Sequence, residues 1–516
     1  MCAITGIVHF DHRPVAESEL VTMRDVMVNR GPEHGGQWLG GHAALGHRRL
    51  RIIDLSPLGN QPMTNEDSTV WVTFNGEIYN FQPLRKELEA KGHRFRSHSD
   101  TEVIVHGYEE WGEGVVARMD GMFAIGVWDT RKDTLLLAVD RFGKKPLFYS
   151  QHGATVRFAS DSKAFWSLPG AALTVNHAAI DCYLHHLAVT TDHTIYNEVS
   201  KLPPAHFKVF ERDASGGVRA REVRYWQPNF RDKINVTEAE ALERIDAALK
   251  EGVRKRMIAD VPLGAFLSGG VDSSLVVAMM SQLSSKPVKT FSIGFEEQDF
   301  SELEYSDAVA ARYKTEHQQI RLKPDVLEIL PSLVWEYGEP FADSSAIPTY
   351  YVSKAAKEFV TVALTGDGGD ELFGGYDIAR ASFHAMRYDA LMPGFVRGPL
   401  EDWLFAAERT GFAQKLKTLA THASPDPARR HGYSMAFNQR QREALYTDTF
   451  RASIGAHRPW HIYERHAAAM AELSILDQNL YHVLMARLSN DYLVKVDVAS
   501  MKVALELRSP FLDTDL

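Results

Sequence analysis

The sequence predicts two unlike domains in series: an α+β domain of packed antiparallel sheets, then an α/β domain with a parallel sheet and added helices. Three observations predict this. Apolar or β-branched runs at 2–10, 43–53, 69–78, 123–130, 134–141 and 146–150, separated by Gly, Pro, Asp and Asn, read as short, closely spaced strands. From about residue 235 the chain alternates strand and helix instead. A length of 516 residues with 45% hydrophobic content exceeds one ordinary core.

Between the early strands lie two helical patterns, 81–91 and 100–112, the second with Val103, Ile104, Tyr108 and Trp111 at helical spacing. Strands in groups with few helices imply antiparallel sheets. The stretch around 200–234, with Pro203-Pro204 and Ser215-Gly216-Gly217, reads as a connection, giving domains 2–205 and 235–516 joined by 206–234. Thr237 and Glu240 form a capping box ahead of an amphipathic helix marked by Leu242, Ile245, Leu249 and Val253. Strand 263–267, helix 272–283, strand 288–295, helix 301–313, strand 317–322, helical material to 358 and strand 360–366 follow. That alternation implies a parallel sheet with right-handed crossovers and ligands at the carboxyl ends of its strands. Residues 380–487 read as mostly helical.

The formal charge of −10 comes from 57 basic and 67 acidic residues mixed throughout, without the basic footprint of a nucleic-acid binder, so small-molecule substrates are expected. Two cysteines, Cys2 and Cys182, exclude a disulfide framework and suit a reducing compartment. The first ten residues lack a basic n-region and meet Asp11, His12 and Arg13 before a signal-length apolar run develops. No stretch approaches the roughly 20 apolar residues of a membrane span. A cytoplasmic location is therefore expected, and the Asn235-Val236-Thr237 match to a glycosylation site reads as chance.

Removal of Met1 would place the Cys2 thiol beside an α-amino group whose pKa is normally about 7.7–8.0, an amine able to take the thiol proton. Attack on an amide carbon would then need an oxyanion hole. A lone Cys2 in a strand would more simply be a small buried residue. Its company decides otherwise. Cys2-Ala-Ile-x-Gly-Ile, Arg30-Gly31-Pro32, His47-Arg48-Arg49-Leu50-x-Ile52, Asn75-Gly76-Glu77-Ile78-Tyr79-Asn80 and Ser99-Asp100-Thr101-Glu102, in that order, resemble the class II glutamine amidotransferases, an N-terminal nucleophile hydrolase family. Asp140-Arg141-Phe142-Gly143 and Pro146-Leu147-Phe148-Tyr149 extend the resemblance. It implies a four-layer αββα sandwich with Cys2 as nucleophile. Arg49 would hold the glutamine α-carboxylate, and Glu77 and Asp100 its α-ammonium. The Asn75 side chain and the Gly76 backbone N–H would form the oxyanion hole. Glu33 departs from the aspartate usual after Arg-Gly-Pro, with a local effect expected.

The apolar strand 263–267 runs straight into Ser268-Gly269-Gly270-Val271-Asp272-Ser273-Ser274 and a helix. Two glycines let backbone N–H groups turn toward a phosphate, the serines add donors, and the helix N-terminus adds its dipole. Asp272 is placed to bind Mg²⁺. In this setting the segment resembles the PP-loop of ATP pyrophosphatases, which release AMP and pyrophosphate. A second strand ends in Thr365-Gly366-Asp367-Gly368-Gly369-Asp370-Glu371, carboxylates among glycines that invite a metal. Similarity to the asparagine synthetase family implies Asp370 with Asp272 on Mg²⁺, Asp367 near an acyl-adenylate, and Leu267, Ile293, Thr365 and Gly366 near the nucleoside. Family members often carry glutamate at the position of Asp367.

That similarity spans nearly the whole chain, including Glu339-Pro-Phe-Ala-Asp343 and Lys495-Val-Asp497 through Glu506-x-Arg508-x-Pro510-Phe511-Leu512-Asp513. Family members continue to a lysine in a Lys-x-Gly-Phe-like context that assists adenylation. The expectation is therefore a further C-terminal piece; the alternative is a naturally short protein with an impaired synthetase half. The resemblance implies a glutamine-hydrolysing asparagine synthetase using ATP and Mg²⁺, with ammonia passed between two sites, and allows a homodimer. Two rivals remain. One is a same-fold amidotransferase acting on another carboxylate in polysaccharide or secondary-metabolite assembly, and the other is a non-catalytic binder of glutamine or ATP. Related lactam synthetases usually lack the cysteine, so Cys2 argues against them.

Overall fold

The computed structural model describes residues 2–213, 216–295, 303–322, 326–376, 396, 436–437 and 439–516. Two six-stranded antiparallel sheets form the N-terminal domain. The first runs Ser200–Lys201, Phe148–His152, Thr155–Ala159, Ala3–His9, Ala43–Arg49 and His34–Leu39. The second runs Val218–Arg224, His206–Arg212, Thr134–Val139, Gly121–Asp129, Val70–Ile78 and Met63–Thr64.

Alternation along the strands builds the layers. Ile4 and Val8 join Ala124, Trp128, Leu135 and Leu137 in a core between the sheets. Ala3 and Ile7 join Leu20 and Met23 of the helix Glu17–Asp25 on the outer face. On the far side of the second sheet, Leu84 and Leu88 of Phe81–Ala90 and Val103 and Ile104 of Glu102–Trp111 share a core with Val72, Phe74 and Ile125. This is the αββα sandwich. The expected connection over 206–234 is corrected in its first part. His206–Arg212 and Val218–Arg224 pair with each other, and the former pairs with Thr134–Val139, so both complete the second sheet. Strands His34–Leu39 and Thr155–Ala159 and helices Glu17–Asp25 and His177–His186 are additional to those predicted.

In the C-terminal domain five strands pair in parallel, in the order Glu316–Leu322, Lys289–Phe295, Leu263–Phe266, Val362–Leu364 and Glu506–Arg508. Strand order reverses at Leu263–Phe266, the position where parallel α/β sheets open a crevice for ligands. Both faces are covered, as parallel sheets require. Leu249 and Val253 of Glu238–Arg256 and Val276, Val277 and Met280 of Val271–Leu283 cover one face. Val352 and Ala356 of Ala346–Lys357 and Val496 of Leu493–Met501 cover the other. The Thr237–Glu240 capping box is present. Much of the helical reading over 380–487 lies outside the described residues; Gln439–Leu445, Asp448–Ile454 and Ile475–His482 are helices within it.

The domains meet over buried charge as well as apolar surface. Val362, Met501 and Ala504 join the core beneath the second sheet. Asp497, 1% exposed at its side chain, lies 2.7 Å from Arg30 Nη2 and 2.9 Å from Lys145 Nζ. Burial would raise its carboxyl, but the Arg30 and Lys145 charges outweigh burial and hold it below the ordinary value. Its stabilising contribution is thus complete at neutral pH and is lost as pH falls below the ordinary carboxylate pKa of about 3.9. Asp497→Ala leaves two buried cations unpaired, and denaturant unfolding at pH 7 is expected to show a loss of about 3–5 kcal/mol. The difference from the parent should shrink as pH is lowered through the acid range.

Candidate functional site

Cys2 immediately precedes Ala3–His9, whose Ala3 pairs with Arg48. Its backbone N donates to Asn75 Oδ1 at 3.0 Å, its Sγ lies 3.8 Å from Leu50 O, and Arg30 Nε donates to its carbonyl at 3.3 Å. Burial pushes the thiol above its ordinary value. Asn75 sits in Val70–Ile78, completely buried, and its Nδ2 has no hydrogen-bond partner. A buried side-chain donor with nothing to donate to, on an amide held by the Cys2 backbone N, suits a transient oxyanion. A Cβ at Gly76 would fall 2.0 Å from Met122 O, so only glycine lets this strand lie so close to its neighbour.

Glu77 Oε2 lies 3.0 Å from Arg508 Nη2 of the other domain, while its Oε1 is buried with no hydrogen-bond partner. Asp100 Oδ2 accepts from Ile78 N at 2.9 Å, and burial pushes its carboxyl up to about 6. These two acids, with Asn75 and Gly76, therefore cluster along one strand end. Arg49 is engaged differently. Its guanidinium donates to Ile53 O, Asp54 O, Ser56 O and Asn60 Oδ1 at 3.3, 2.5, 3.0 and 2.7 Å, so a ligand carboxylate would have to compete with the 53–60 loop.

The second group surrounds the crevice of the parallel sheet. After Leu263–Phe266 the chain turns through Gly269 at φ +88°, a conformation favouring glycine, and Gly270 caps Val271–Leu283. Ser268 N donates to Ser273 Oγ and Gly270 N to Ser268 Oγ, both at 3.2 Å, which fixes the loop. Across the crevice Val362–Leu364 delivers Thr365, Gly366 and Asp367, with Thr365 Oγ1 donating to Asp367 Oδ2 at 2.6 Å, and Asp370 follows in the helix Gly369–Phe373. Between them is a cavity of about 870 Å³. Ser268, Gly270, Asp272, Ser273, Thr365, Gly366, Asp367 and Asp370 line it; Leu267 lies in the core behind, and Ile293 packs against a neighbouring cluster.

Burial, then Asp370, then Asp367, push Asp272 up to about 6. A Cβ at Gly369 would fall 2.3 Å from its carboxylate. This oxygen-only donor set fits a hard divalent cation such as Mg²⁺. The opposite wall holds Asp343, Arg487, Asp491 and Lys495, which the sequence reading assigned no role. Lys495 Nζ donates to Asp343 Oδ2 at 3.1 Å. The signal for this pair was present, since both residues stand within the motifs carrying the family resemblance, whereas Arg487 and Asp491 sit in a helical stretch without one.

Between the groups lies an interdomain cavity of about 80 Å³, lined by Arg30, Lys144, Lys145 and Asp497 among others. Lys144 Nζ donates to Ser509 Oγ, which lies 3.2 Å from Thr365 Oγ1. Gly76→Ala is expected to lower the melting temperature by several degrees in scanning calorimetry. Gly114→Ala, where the nearest atom to a new Cβ is 3.9 Å away, should leave it within a degree or so of the parent.

A glutamine amidotransferase domain model matches residues 1–226, and an asparagine synthase model matches residues 244–516. Asparagine synthetase [glutamine-hydrolyzing] 1 of Bacillus subtilis (strain 168) is 33% identical over 99% of this chain and 79% of its own length. Asparagine synthetase [glutamine-hydrolyzing] 3 of the same organism is 28% identical over 99% and 79%. A relative from Methanocaldococcus jannaschii is 31% identical over 99% of this chain and all of its own. With both domains matched along nearly the whole chain, this ATP-dependent ligase belongs to the glutamine-hydrolysing asparagine synthetase family.

Proposed function

We propose that the chain converts ATP, L-aspartate, L-glutamine and water to AMP, diphosphate, L-asparagine and L-glutamate. The observation that carries this reading is the pairing of Cys2 with Asn75: the backbone N at the cysteine holds Asn75 Oδ1, which leaves Nδ2 of the same amide buried and unpartnered. With Met1 removed, that nitrogen is an amine able to receive the thiol proton while the sulfur attacks the glutamine amide carbon. Asn75 Nδ2 and Gly76 N stabilise the oxyanion, ammonia leaves, and water then hydrolyses the thioester to glutamate. Glu77 Oε1, buried and lacking a partner, together with Asp100, receives the glutamine ammonium. Arg49 turns from the 53–60 loop to its carboxylate.

In the second site the Ser268–Ser274 loop holds the phosphates of ATP, with Thr365 and Gly366 toward the nucleoside. Asp272 and Asp370 would hold Mg²⁺, which when bound neutralises phosphate charge. Asp367, fixed by Thr365, lies beside the carboxylate to be activated. Arg487 and Lys495 on the opposite wall support an anionic acceptor, and the relatives' names give asparagine as the product, for which aspartate is the matching carboxylate. Ammonia released at Cys2 reaches the acyl-adenylate through the interdomain cavity.

Incubation with glutamine and ATP, with and without aspartate, tests this. Aspartate-dependent diphosphate and asparagine are expected. Glutamate release without either product would point to a different carboxylate acceptor and overturn the aspartate assignment. Cys2→Ala should abolish glutamine use while ammonium still supports synthesis. Asn75→Ala should lower glutamine-dependent kcat by about 10²–10³, the usual loss for one oxyanion donor.

A further inference from the structure

We propose that Glu66, His93, His106 and Glu109 form a binding site for a divalent transition-metal ion of zinc's class on the outer side of the amidotransferase domain. Glu66 lies in the turn before Val70–Ile78, His93 shortly after Phe81–Ala90, and His106 and Glu109 three residues apart on Glu102–Trp111, where side chains share a helix face. One ligand atom from each lies within 4.8 Å of every other. His106 Nδ1 is 3.2 Å from Glu66 Oε2 and 3.7 Å from Glu109 Oε2, and His93 Nδ1 is 3.8 Å from a carboxylate oxygen of each. Two ligands on one tetrahedral zinc are separated by about 3.3 Å, so a small contraction suffices.

The second observation is the state of His106. Its side chain is 1% exposed, yet neither ring nitrogen has a hydrogen-bond partner, and neither has Glu109 Oε2. His106 Nε2 faces Glu102 Oε1 at 3.5 Å. His106 Nδ1, on the other side of the ring, faces carboxylate oxygens of Glu66 and Glu109. A cation bound at Nδ1 would satisfy this buried ring nitrogen and the buried, unpartnered Glu109 Oε2 together. Glu102 behind His106 is the carboxylate–histidine arrangement that orients metal ligands. Glu109 Oε1 is likewise held by Asn65 Nδ2 at 2.7 Å, and Glu66 Oε1 by Arg94 N at 2.8 Å. Two imidazoles with two carboxylates suit Zn²⁺ or a neighbouring first-row ion rather than Mg²⁺. The ion would pin the turn that opens the Asn75 strand to the helix that follows Asp100. Its role is therefore structural, and it does not depend on which reaction the chain performs.

The test uses the full chain after chelator treatment, titrated with Zn²⁺ by calorimetry and followed by thermal melting, beside His93→Gln and Glu109→Gln and their combination. The parent is expected to bind one equivalent more than the double variant and to gain melting temperature with Zn²⁺, with each single change weakening that equivalent at least about tenfold. The groups Cys182, His193, His457 and His12, His42, Asp133 are intact in all these proteins, so any binding there cancels in the comparison. Equal stoichiometry and affinity in parent and double variant would overturn the proposal, as would a nuclear magnetic resonance spectrum showing both His106 nitrogens protonated at pH 7 with Zn²⁺ present. Should the double variant not fold, Glu66→Gln, at the half-exposed edge of the cluster, must show the same weakening.

Discussion

Arg508 is the residue on which the two domains depend. Fully buried, it contacts Glu506 Oε1 at 2.6 Å and Glu77 Oε2 at 3.0 Å and donates to the carbonyls of Arg256 and Ile258. Withdrawing a guanidinium and two carboxylates from water is costly, and only near-complete pairing offsets it. Burial alone would disfavour every charge in the group. The attraction of Glu77 and Glu506 instead raises Arg508 above its usual value, and Arg508 holds Glu506 below its own, whereas at Glu77, with one oxygen unpartnered, burial prevails and holds the carboxyl well above the ordinary range. The three positions are consequently fixed jointly. Strand Glu506–Arg508 pairs with Val362–Leu364, and Arg508 O accepts from Thr365 N at 2.8 Å. Thus the residue whose guanidinium touches Glu77 also pairs, through its backbone, with the strand end that presents Asp367.

What was legible in the sequence follows from how locally each feature is encoded. The apolar strand before Ser268 and the paired glycines after it state their geometry within a dozen residues, and the crevice stands where they place it. The Asn75-Gly76 step is equally local, because the glycine is needed where Met122 O approaches. The hairpin 206–224 resembles a connection in sequence because its outer strand carries exposed charges on both faces, Arg219 and Arg221 on one and Glu222 on the other, while Ser215-Gly216-Gly217 imitates a linker. Glu506–Arg508 escaped for the opposite reason. Its charged residues are buried by mutual pairing, which no hydrophobic pattern registers, and the partner Glu77 lies 431 positions away.

Buried polar pairing also separates roles within the amidotransferase half. Asn75 and Glu77 each use one side-chain atom structurally, toward Cys2 N and Arg508, and keep the other unpartnered. An amide or carboxylate anchored at one atom presents the second in a fixed direction, the preorganisation a transient charge requires. Arg49 shows the alternative, since its donors are already occupied by the loop at 53–60.

The interdomain cavity is walled by paired charges. Its lining includes four acids, and each is matched: Asp497 by Arg30 and Lys145, Asp161 and Glu336 by Lys163, and Glu339 by Lys201. Burial first, and then the charge of Lys145, pushes Lys144 down to about 7, so even a resident amine is driven toward neutrality there. An entering ammonium would meet the same desolvation with no unmatched anion among the described lining residues, whereas uncharged ammonia loses far less on leaving water. For the transfer proposed here, selection of the reactive neutral form thus follows from charge pairing in the cavity wall. Lys144, bonded to Ser509 beside Thr365, joins that wall to the turn carrying Thr365 and Asp367.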